Sequence, residues 1–142
     1  MKILFICTGN TCRSPMAEAL FRDLVKKSGR TGLTCASAGL SAPDGAPASA
    51  HAVEVCEEIG IDLSRHRAHT LTREEVDAAD LCFVMTPSHG FVLRRAGVPE
   101  EKIRVAKPEI PDPYGEDLEA YRRCRDALQT ALTALLEELP HD

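Results

Sequence analysis

Residues 2–21 read KILFICTGNTCRSPMAEALF, and most of the fold class and the chemistry follow from this stretch. The apolar run Ile3–Ile6 predicts a buried strand, and apolar positions at helical spacing after Pro15 predict a helix. Between them lies a short polar loop, Cys7–Ser14. A loop that leaves a strand and enters a helix directs its backbone N–H groups inward, where the helix dipole adds positive potential. The sequence therefore predicts an anion-binding loop after the first strand.

The side chains of this loop suit a tetrahedral oxyanion. Asn10 tolerates positive φ, and Gly9 adds conformational freedom. Arg13 carries a planar guanidinium that can grip two phosphate oxygens at once. Ser14 is predicted to cap the following helix, with Pro15 in the first helical position. The loop is therefore expected to bind phosphate.

Cys7 is the candidate nucleophile at the mouth of this loop. A nearby cation and a helix N-terminus favour the thiolate form of a cysteine over the thiol. The expected reaction is an in-line displacement that gives a phosphocysteine, which water then hydrolyses. A buried structural thiol at a strand end is the alternative interpretation. That alternative leaves the glycine, asparagine, arginine and serine–proline pair of the loop unexplained.

A second candidate lies in PEIPDPYG, residues 108–115. Pro113 disfavours helix at Asp112, and an isolated Asp-Pro is typical of an Asx turn or a helix N-cap. A carboxylic acid beside a bound phosphate can instead supply the proton that a leaving group needs. Nearby carboxylates that offer alternatives for this acid are Glu109, Glu116 and Asp117.

The rest of the chain alternates strands with helices. The predicted strands are 2–6, 33–38, 81–85 and 103–106. The predicted helices are 15–28, a helix that carries Val53, Cys56 and Ile59 and ends at Gly60, then 71–79, 87–96 and 117–139. This α/β alternation predicts a doubly wound parallel sheet with helices on both faces, and it places the site at the carboxyl ends of the strands.

Residues 7–18, CTGNTCRSPMAE, resemble the start of the low-molecular-weight protein tyrosine phosphatases. Asp112-Pro113-Tyr114 is similar to the segment that carries the general acid in that family, and 37–39 and 60–67 look like further landmarks. The resemblance covers the chain from end to end. It implies a four-stranded parallel sheet in the order 2-1-3-4.

The resemblance also implies a role for each site residue. Cys7 matches the nucleophile, Arg13 the phosphate-binding arginine, and Asp112 the acid that protonates the leaving group and then activates water. Cys12 matches a loop cysteine that can form a disulfide with the nucleophile, although a small apolar filler is an equal alternative. The residues expected to bind substrate or phosphate are Thr8, Gly9, Asn10, Thr11, Cys12, Ser14 and Tyr114. The residues expected to support the thiolate through hydrogen bonds are Asn10, Ser14, Ser37 and His66.

Thr11 stands where most tyrosine phosphatases of this family have a bulky aliphatic residue, and threonine there resembles the protein-arginine-phosphatase subgroup. A short side chain with a hydroxyl can hydrogen-bond a guanidinium and removes apolar surface that packs on a phenyl ring. Met85-Thr86 also resembles that subgroup, whereas Tyr114 is similar to many tyrosine phosphatases. We therefore expect a protein-arginine phosphatase, with a protein-tyrosine phosphatase as the alternative.

The sequence also leaves three other functions to be considered. A thiol-dependent arsenate reductase needs further cysteines for a disulfide cascade, but Cys82 lies in a predicted buried strand and Cys124 in the last helix. A phosphocarrier has no need of Asp112, since it recruits no water. A phosphoprotein-binding module has no need of a nucleophile, an arginine and an acid together.

The composition of the chain limits which other classes of protein it can belong to. The chain has 142 residues, which suits one domain over 1–142, and its net charge of -5 disfavours nucleic-acid binding. No apolar run reaches the length of a membrane span. The six cysteines lie mostly in apolar patterns, which favours reduced thiols in a cytoplasmic protein, and no Cys or His spacing suggests a metal. We expect no cofactor, phosphorylated proteins as partners, and a monomer.

Overall fold

The computed structural model describes residues 1–140, which form four strands and five α-helices. The strands are β1 (Lys2–Cys7), β2 (Thr34–Gly39), β3 (Leu81–Val84) and β4 (Ile103–Val105). The helices are α1 (Arg13–Ser28), α2 (Ala50–Glu57), α3 (Arg73–Ala78), α4 (Pro87–Arg95) and α5 (Leu118–Glu138). A 3-10 turn, Glu100–Lys102, leads into β4.

The strands pair in parallel in the order β2-β1-β3-β4, which confirms the predicted topology. Leu4 of β1 lies opposite Ala36 of β2 and Cys82 of β3. At the carboxyl end of the sheet, Cys7 lies opposite Gly39. The central position of β1 therefore places the loop that follows it between two neighbouring strand ends, as expected for a doubly wound sheet.

Helices cover both faces of the sheet because successive side chains of β1 point to opposite sides. Ile3 and Phe5 pack into the core beneath α1, α2 and α5, where Phe5 makes edge-to-face contacts with Phe21 and Phe83. Leu4 and Ile6 pack into a second core beneath α3 and α4. Burial on both faces explains the uninterrupted apolar run of β1.

Most element bounds agree with the sequence prediction to within one or two residues. The helix predicted to end at Gly60 ends earlier in the structure. Helix α2 stops at Glu57, and Gly60 takes a φ of 80° just beyond it. Asp117 begins α5 by accepting a hydrogen bond from the backbone N–H of Ala120 at 3.0 Å.

None of the helices within residues 1–140 is long and apolar enough to cross a membrane.

A cluster of charged side chains joins α2 to α5. The carboxylate of Glu58 lies 2.6 Å from Arg122 Nη2 and 2.7 Å from Arg125 Nη1. Arg125 Nη1 also donates to the carbonyl of Val55 at 2.9 Å. The hydrogen bonds from Arg122 and then Arg125 lower the pKa of Glu58 to about 2. The ionised carboxylate therefore stabilises the folded state.

We expect Glu58→Gln to lower the melting temperature at pH 7. Because folding lowers the pKa of Glu58 from 4.5 to about 2, its contribution is present above pH 4.5 and is lost as the pH falls toward 2. Thermal melts of both proteins at a series of pH values should therefore converge at the acid end. Glu57→Gln, at the last residue of α2 and directly before Glu58, removes a carboxylate that makes no ion pair among residues 1–140, and should have little effect. A constant difference between Glu58→Gln and the parent at all pH values would contradict this assignment.

Candidate active site

The loop after β1 turns sharply at Asn10 and enters α1 at Arg13. Asn10 has a φ of 56°, as its residue type predicts. Gly9 does not take a positive φ, and a Cβ there would meet only Thr11 Oγ1, at 3.7 Å. The conformational freedom predicted at Gly9 is therefore not what shapes this loop.

Helix α1 begins two residues earlier than predicted. Cys12, and not Ser14, occupies the N-cap position, and its carbonyl accepts a hydrogen bond from the N–H of Met16 at 3.2 Å. The prediction that Ser14 caps the helix, with Pro15 in the first position, is therefore wrong. Ser14 lies inside the first turn, where its hydroxyl is free to bond groups other than the helix backbone.

Ser14 hydrogen-bonds the sulfur of Cys7. Its backbone N–H lies 3.4 Å from Cys7 Sγ, and its hydroxyl oxygen lies 3.0 Å from the same sulfur. The Cys7 side chain is 3% exposed and points toward the first turn of α1. Donors from a helix N-terminus favour the negative charge of a thiolate.

A chain of hydrogen bonds limits the directions in which the Ser14 hydroxyl can point. Glu18 accepts from Ser37 Oγ at 2.6 Å, and the Asn10 side-chain amide donates to Ser37 Oγ at 3.0 Å and to Ser14 Oγ at 2.8 Å. A carboxylate only accepts and the amide nitrogen only donates, so the oxygens of both serines act as acceptors toward Asn10. The hydroxyl proton of Ser14 therefore points away from Asn10, where its two possible acceptors are Cys7 Sγ at 3.0 Å and the carbonyl of Ala38 at 3.4 Å.

Two histidines hold Asn10 from the other side. His66 Nε2 lies 2.7 Å from the carbonyl oxygen of Asn10, and the backbone N–H of His69 donates to Asn10 Oδ1 at 3.1 Å. Asn10 and Ser14 are both fully buried, and neither lines the cavity described below. Their side chains thus contact the loop and its supports, and Ser37 and His66 belong to the same hydrogen-bond network; a direct contact of Asn10 or Ser14 with substrate or phosphate stays a prediction.

Arg13 is buried beneath the loop with one N–H unpaired. Its Nη1 donates to the carbonyl of Ile110 at 3.0 Å, and its Nη2 lies 3.6 Å from Asp112 Oδ2. Within residues 1–140, Arg13 Nε is the one buried side-chain nitrogen or oxygen that has no hydrogen-bond partner. An unpaired buried donor is costly, so this arrangement fits a site that an anion completes.

Asp112 combines the two interpretations that the sequence left open. Its Oδ1 accepts from the N–H of Tyr114 at 3.1 Å in an Asx turn, and its Oδ2 faces Arg13. The Asp112 side chain is 48% exposed and Tyr114 is 71% exposed. Asp117, and not Asp112, caps α5. The turn thus holds a solvent-accessible carboxylate next to the guanidinium of Arg13.

A cavity of about 530 Å³ opens above this loop. The loop residues that line it are Cys7, Thr8, Gly9, Thr11, Cys12 and Arg13. Asp112 and Tyr114 line one side, and Pro43 together with residues 46–50 forms a mostly apolar wall. Thr11 is joined to that wall through its backbone, because its carbonyl accepts from the backbone N–H of Ser49 at 2.9 Å. The cavity can therefore receive a phosphorylated side chain.

Cys12 lies among hydroxyl groups. Its sulfur is 3.0 Å from Ser49 Oγ and 3.4 Å from the hydroxyl of Tyr121. Burial, together with the hydrogen bond to Cys12, raises the pKa of Tyr121. All six cysteines are free thiols. A disulfide between Cys12 and Cys7 stays a prediction.

Three residues of the site had no role in the sequence prediction. Glu18 lies within the matched N-terminal stretch, but its contact with Ser37 depends on how β2 pairs with β1. Gly39 ends β2 against the loop, and a Cβ there would lie 2.8 Å from the carbonyl oxygen of Thr8. His89 hydrogen-bonds Thr8 from α4. Its position just after the third strand was the signal that could have identified it.

The described part of the chain contains no group of three or more His, Cys, Asp or Glu residues that could hold a metal ion. The polar groups of the cavity are instead hydrogen-bond donors, the thiols of Cys7 and Cys12, and the carboxylate of Asp112. This set of groups suits phosphate chemistry at the loop.

Residues 2–142 match the family described as low molecular weight phosphotyrosine protein phosphatase. A protein-arginine-phosphatase of Bacillus subtilis (strain 168) is 37% identical over 150 aligned positions, which cover 100% of this chain and 99% of the relative. A solved low molecular weight protein tyrosine phosphatase from T. tengcongensis is 42% identical, with a TM-score of 0.92 over 98% of this chain and 99% of that one. The arginine phosphatase YwlE, solved as a cysteine-to-serine mutant with a phosphorylated active-site serine, is 36% identical, with a TM-score of 0.91 over 98% and 95% of the two chains.

Gly39→Ala is expected to destabilise the protein and distort the loop. Its new methyl group would lie 2.8 Å from the Thr8 carbonyl oxygen and 3.0 Å from the Asn10 nitrogen, both of which are backbone atoms. Overpacking of this kind costs about 1–3 kcal/mol in the free energy of unfolding. Urea denaturation measures this loss. Gly9→Ala meets no such contact and should change stability by about 0.5 kcal/mol or less. Equal stabilities of the two variants would contradict the crowding described at Gly39.

Proposed function

The chain belongs to the low molecular weight phosphotyrosine protein phosphatase family and is a cysteine-dependent protein phosphatase, and we propose that its substrates are proteins phosphorylated on arginine. The observation that carries this proposal is Thr11, a short hydroxyl side chain that lines the cavity together with Cys7 and Asp112. The identity with a protein-arginine-phosphatase along the whole chain supports it.

Cys7 is the proposed nucleophile. Its thiolate attacks phosphorus in line with the departing nitrogen, so that an S–P bond forms as the P–N bond breaks. The N–H and hydroxyl groups of Ser14 hold the sulfur for this attack, 3.4 Å and 3.0 Å away. The phosphorylated serine in the YwlE mutant supports an intermediate on this position of the loop.

Arg13 and the loop backbone stabilise the charge on the equatorial phosphate oxygens. The unpaired Nε–H of Arg13 supplies a donor that has no other partner within the described chain. Its Nη1 stays bonded to Ile110, so the guanidinium keeps its orientation while phosphate binds and leaves. Fixed donors of this kind contribute most when the negative charge is redistributed in the transition state.

Asp112 acts as the general acid and then as the general base. It first gives a proton to the departing guanidine nitrogen, which leaves as the arginine side chain. It then takes a proton from water as that water attacks the phosphocysteine, which releases inorganic phosphate and the Cys7 thiolate. Its accessible carboxylate, held by the Asx turn at the cavity, supports both steps.

Thr11 and Tyr114 are proposed to recognise the guanidine. The hydroxyl of Thr11 can accept a hydrogen bond from a guanidine N–H, and the exposed ring of Tyr114 can cover the flat face of the guanidinium.

A protein-tyrosine phosphatase is the second candidate. The wall of Pro43 and residues 46–50 is mostly apolar and can pack against a phenyl ring, as can Tyr114. The relative from T. tengcongensis also carries a tyrosine phosphatase name. Matched phosphoarginine and phosphotyrosine peptides therefore decide the substrate class, through the ratio of their kcat/KM values.

The remaining alternatives find less support. Cys82 and Cys124 are buried in β3 and α5, and neither lines the cavity, so they are poorly placed for the disulfide cascade of an arsenate reductase. Asp112 lies beside Arg13 in the cavity, where a phosphocarrier has no use for an acid.

We predict that Thr11→Ile shifts the preference from phosphoarginine toward phosphotyrosine. The larger side chain removes the hydroxyl and adds apolar surface, changes that alter the ratio of kcat/KM values by about 10–200-fold. Thr11→Val, which nearly keeps the shape of threonine, separates loss of the hydroxyl from added bulk. Thr11→Ser is the matched control and should keep the original preference. An unchanged ratio in Thr11→Ile would refute the role given to Thr11.

Asp112→Asn should slow substrates with poor leaving groups far more than p-nitrophenyl phosphate. Loss of a general acid costs about 10²–10⁴-fold in rate where the leaving group needs a proton, and p-nitrophenolate needs little. The measurement is kcat/KM for both classes of substrate. Asp117→Asn, which alters the α5 cap, is the control and should change stability without this selectivity. Equal slowing of the two substrates by Asp112→Asn would contradict the acid role.

A further inference from the structure

His89 is a buried, polar residue just outside the cavity. It lies in the first turn of α4, after β3, and is 5% exposed. Its Nε2 lies 2.9 Å from the hydroxyl of Thr8, and its Nδ1 lies 3.2 Å from the hydroxyl of Thr86. Both ring nitrogens therefore have hydrogen-bond partners, one of which belongs to the anion-binding loop.

Thr86 holds the ring in place instead of capping its helix. An N-cap threonine ordinarily accepts a hydrogen bond from a backbone N–H of the first turn. Thr86 occupies that position in α4 but makes no such bond, and its hydroxyl lies 2.9 Å from Ser88 Oγ and 3.2 Å from His89 Nδ1. The N-terminus of α4 therefore lacks a side-chain cap, and the hydroxyl of Thr86 instead holds the imidazole of His89 in place.

Thr8 connects this ring to the chemistry. It follows Cys7 directly and lines the cavity, and its side chain is exposed, so an unbonded hydroxyl would be free to change rotamer. The bond to a buried ring removes that freedom. The side chain of Asn10 bonds the loop to α1 and β2, whereas His89 bonds it to α4, the helix that follows β3.

We infer that His89 is a positioning residue, which holds Thr8 so that the first half of the anion-binding loop keeps the shape that receives phosphate. The inference rests on phosphate binding at the proposed site, and it is independent of whether the substrate is phosphoarginine or phosphotyrosine.

The ring acts in its neutral form. Burial, and then the positive charge of Arg13, lower the pKa of His89 to about 4, against the opposing effect of Asp112. A neutral imidazole offers one donor and one acceptor, which matches two hydroxyl partners that can each play either part. It therefore orients Thr8 without placing a second cation beside Arg13.

Two amide substitutions separate the two hydrogen bonds. In His89→Gln the amide reaches the position of Nε2 and can keep the bond to Thr8. In His89→Asn the amide reaches only the position of Nδ1, so it keeps the bond to Thr86 and loses Thr8. We expect His89→Asn to raise the inhibition constant of inorganic phosphate and to lower kcat/KM for p-nitrophenyl phosphate by roughly tenfold each, the effect of one good hydrogen bond. His89→Gln should stay within about twofold of the parent on both measures.

A merely structural histidine would give a different pattern. Both variants would then lower the melting temperature, and the phosphate inhibition constant would be unchanged in the protein that remains folded. That outcome overturns the inference, as does an effect of His89→Gln equal to that of His89→Asn.

Thr8→Val tests the same contact from the loop and leaves the His89 side chain itself unchanged. It removes the hydroxyl and nearly keeps the shape, so it should reproduce the weaker phosphate inhibition. Adding His89→Asn to Thr8→Val should cost little more, because both changes remove one interaction. Additive losses in the double variant would show that His89 does not act through Thr8.

If the parent hydrolyses p-nitrophenyl phosphate but no phosphoarginine peptide, the proposed substrate is wrong and these comparisons still stand. If it hydrolyses neither, calorimetric binding of inorganic phosphate gives the same test.

Discussion

The buried side chain of Asn10 is the interaction on which the rest of the site depends. Its amide bonds Ser14 and Ser37, its Oδ1 accepts from the His69 backbone, and its own backbone takes a φ of 56°. A buried amide must satisfy its donors and acceptors, and these partners come from α1, β2 and the segment after α2. The loop therefore takes its shape only when the surrounding fold is complete, so that folding and site formation are one event.

The fold could be predicted from the sequence to a large extent because its signals are local. The apolar run of β1, the 3/4 spacing of α5 and the alternation of elements each act within a short window, and the resemblance to a known family supplied the strand order. Three predicted site residues also lie together at the cavity, namely Cys7, Arg13 and Asp112, while their roles stay predictions. The errors at Gly9 and Ser14 were local too. Ser14 matched an N-cap by residue type, but Asn10 and Cys7 engage its hydroxyl instead.

The parts that the sequence did not indicate are contacts between distant residues. His89 is 81 positions from Thr8, and Glu18 reaches Cys7 only through Ser37, Asn10 and Ser14. The crowding at Gly39 arises because β2 ends against the loop that follows β1. Periodicity and turn preferences describe the path of one segment. They contain no information on which backbone atom another segment will bring to within 3 Å.

The hydrogen bond from Arg13 to Ile110 ties the proposed phosphate-binding group to the segment that carries Asp112, the proposed general acid, two residues farther along. The distance between the point that grips phosphorus oxygens and the point that delivers a proton is therefore set by the protein, whatever compound occupies the cavity. A phosphate ester and a phosphoramidate present nearly the same span from phosphorus to the departing atom. In the proposed mechanism, the catalytic groups therefore fit phosphate esters and phosphoramidates alike, because the two classes of substrate share this bond length. Discrimination between them falls to the flanks of the cavity, which are free to vary among related chains while the reaction stays the same.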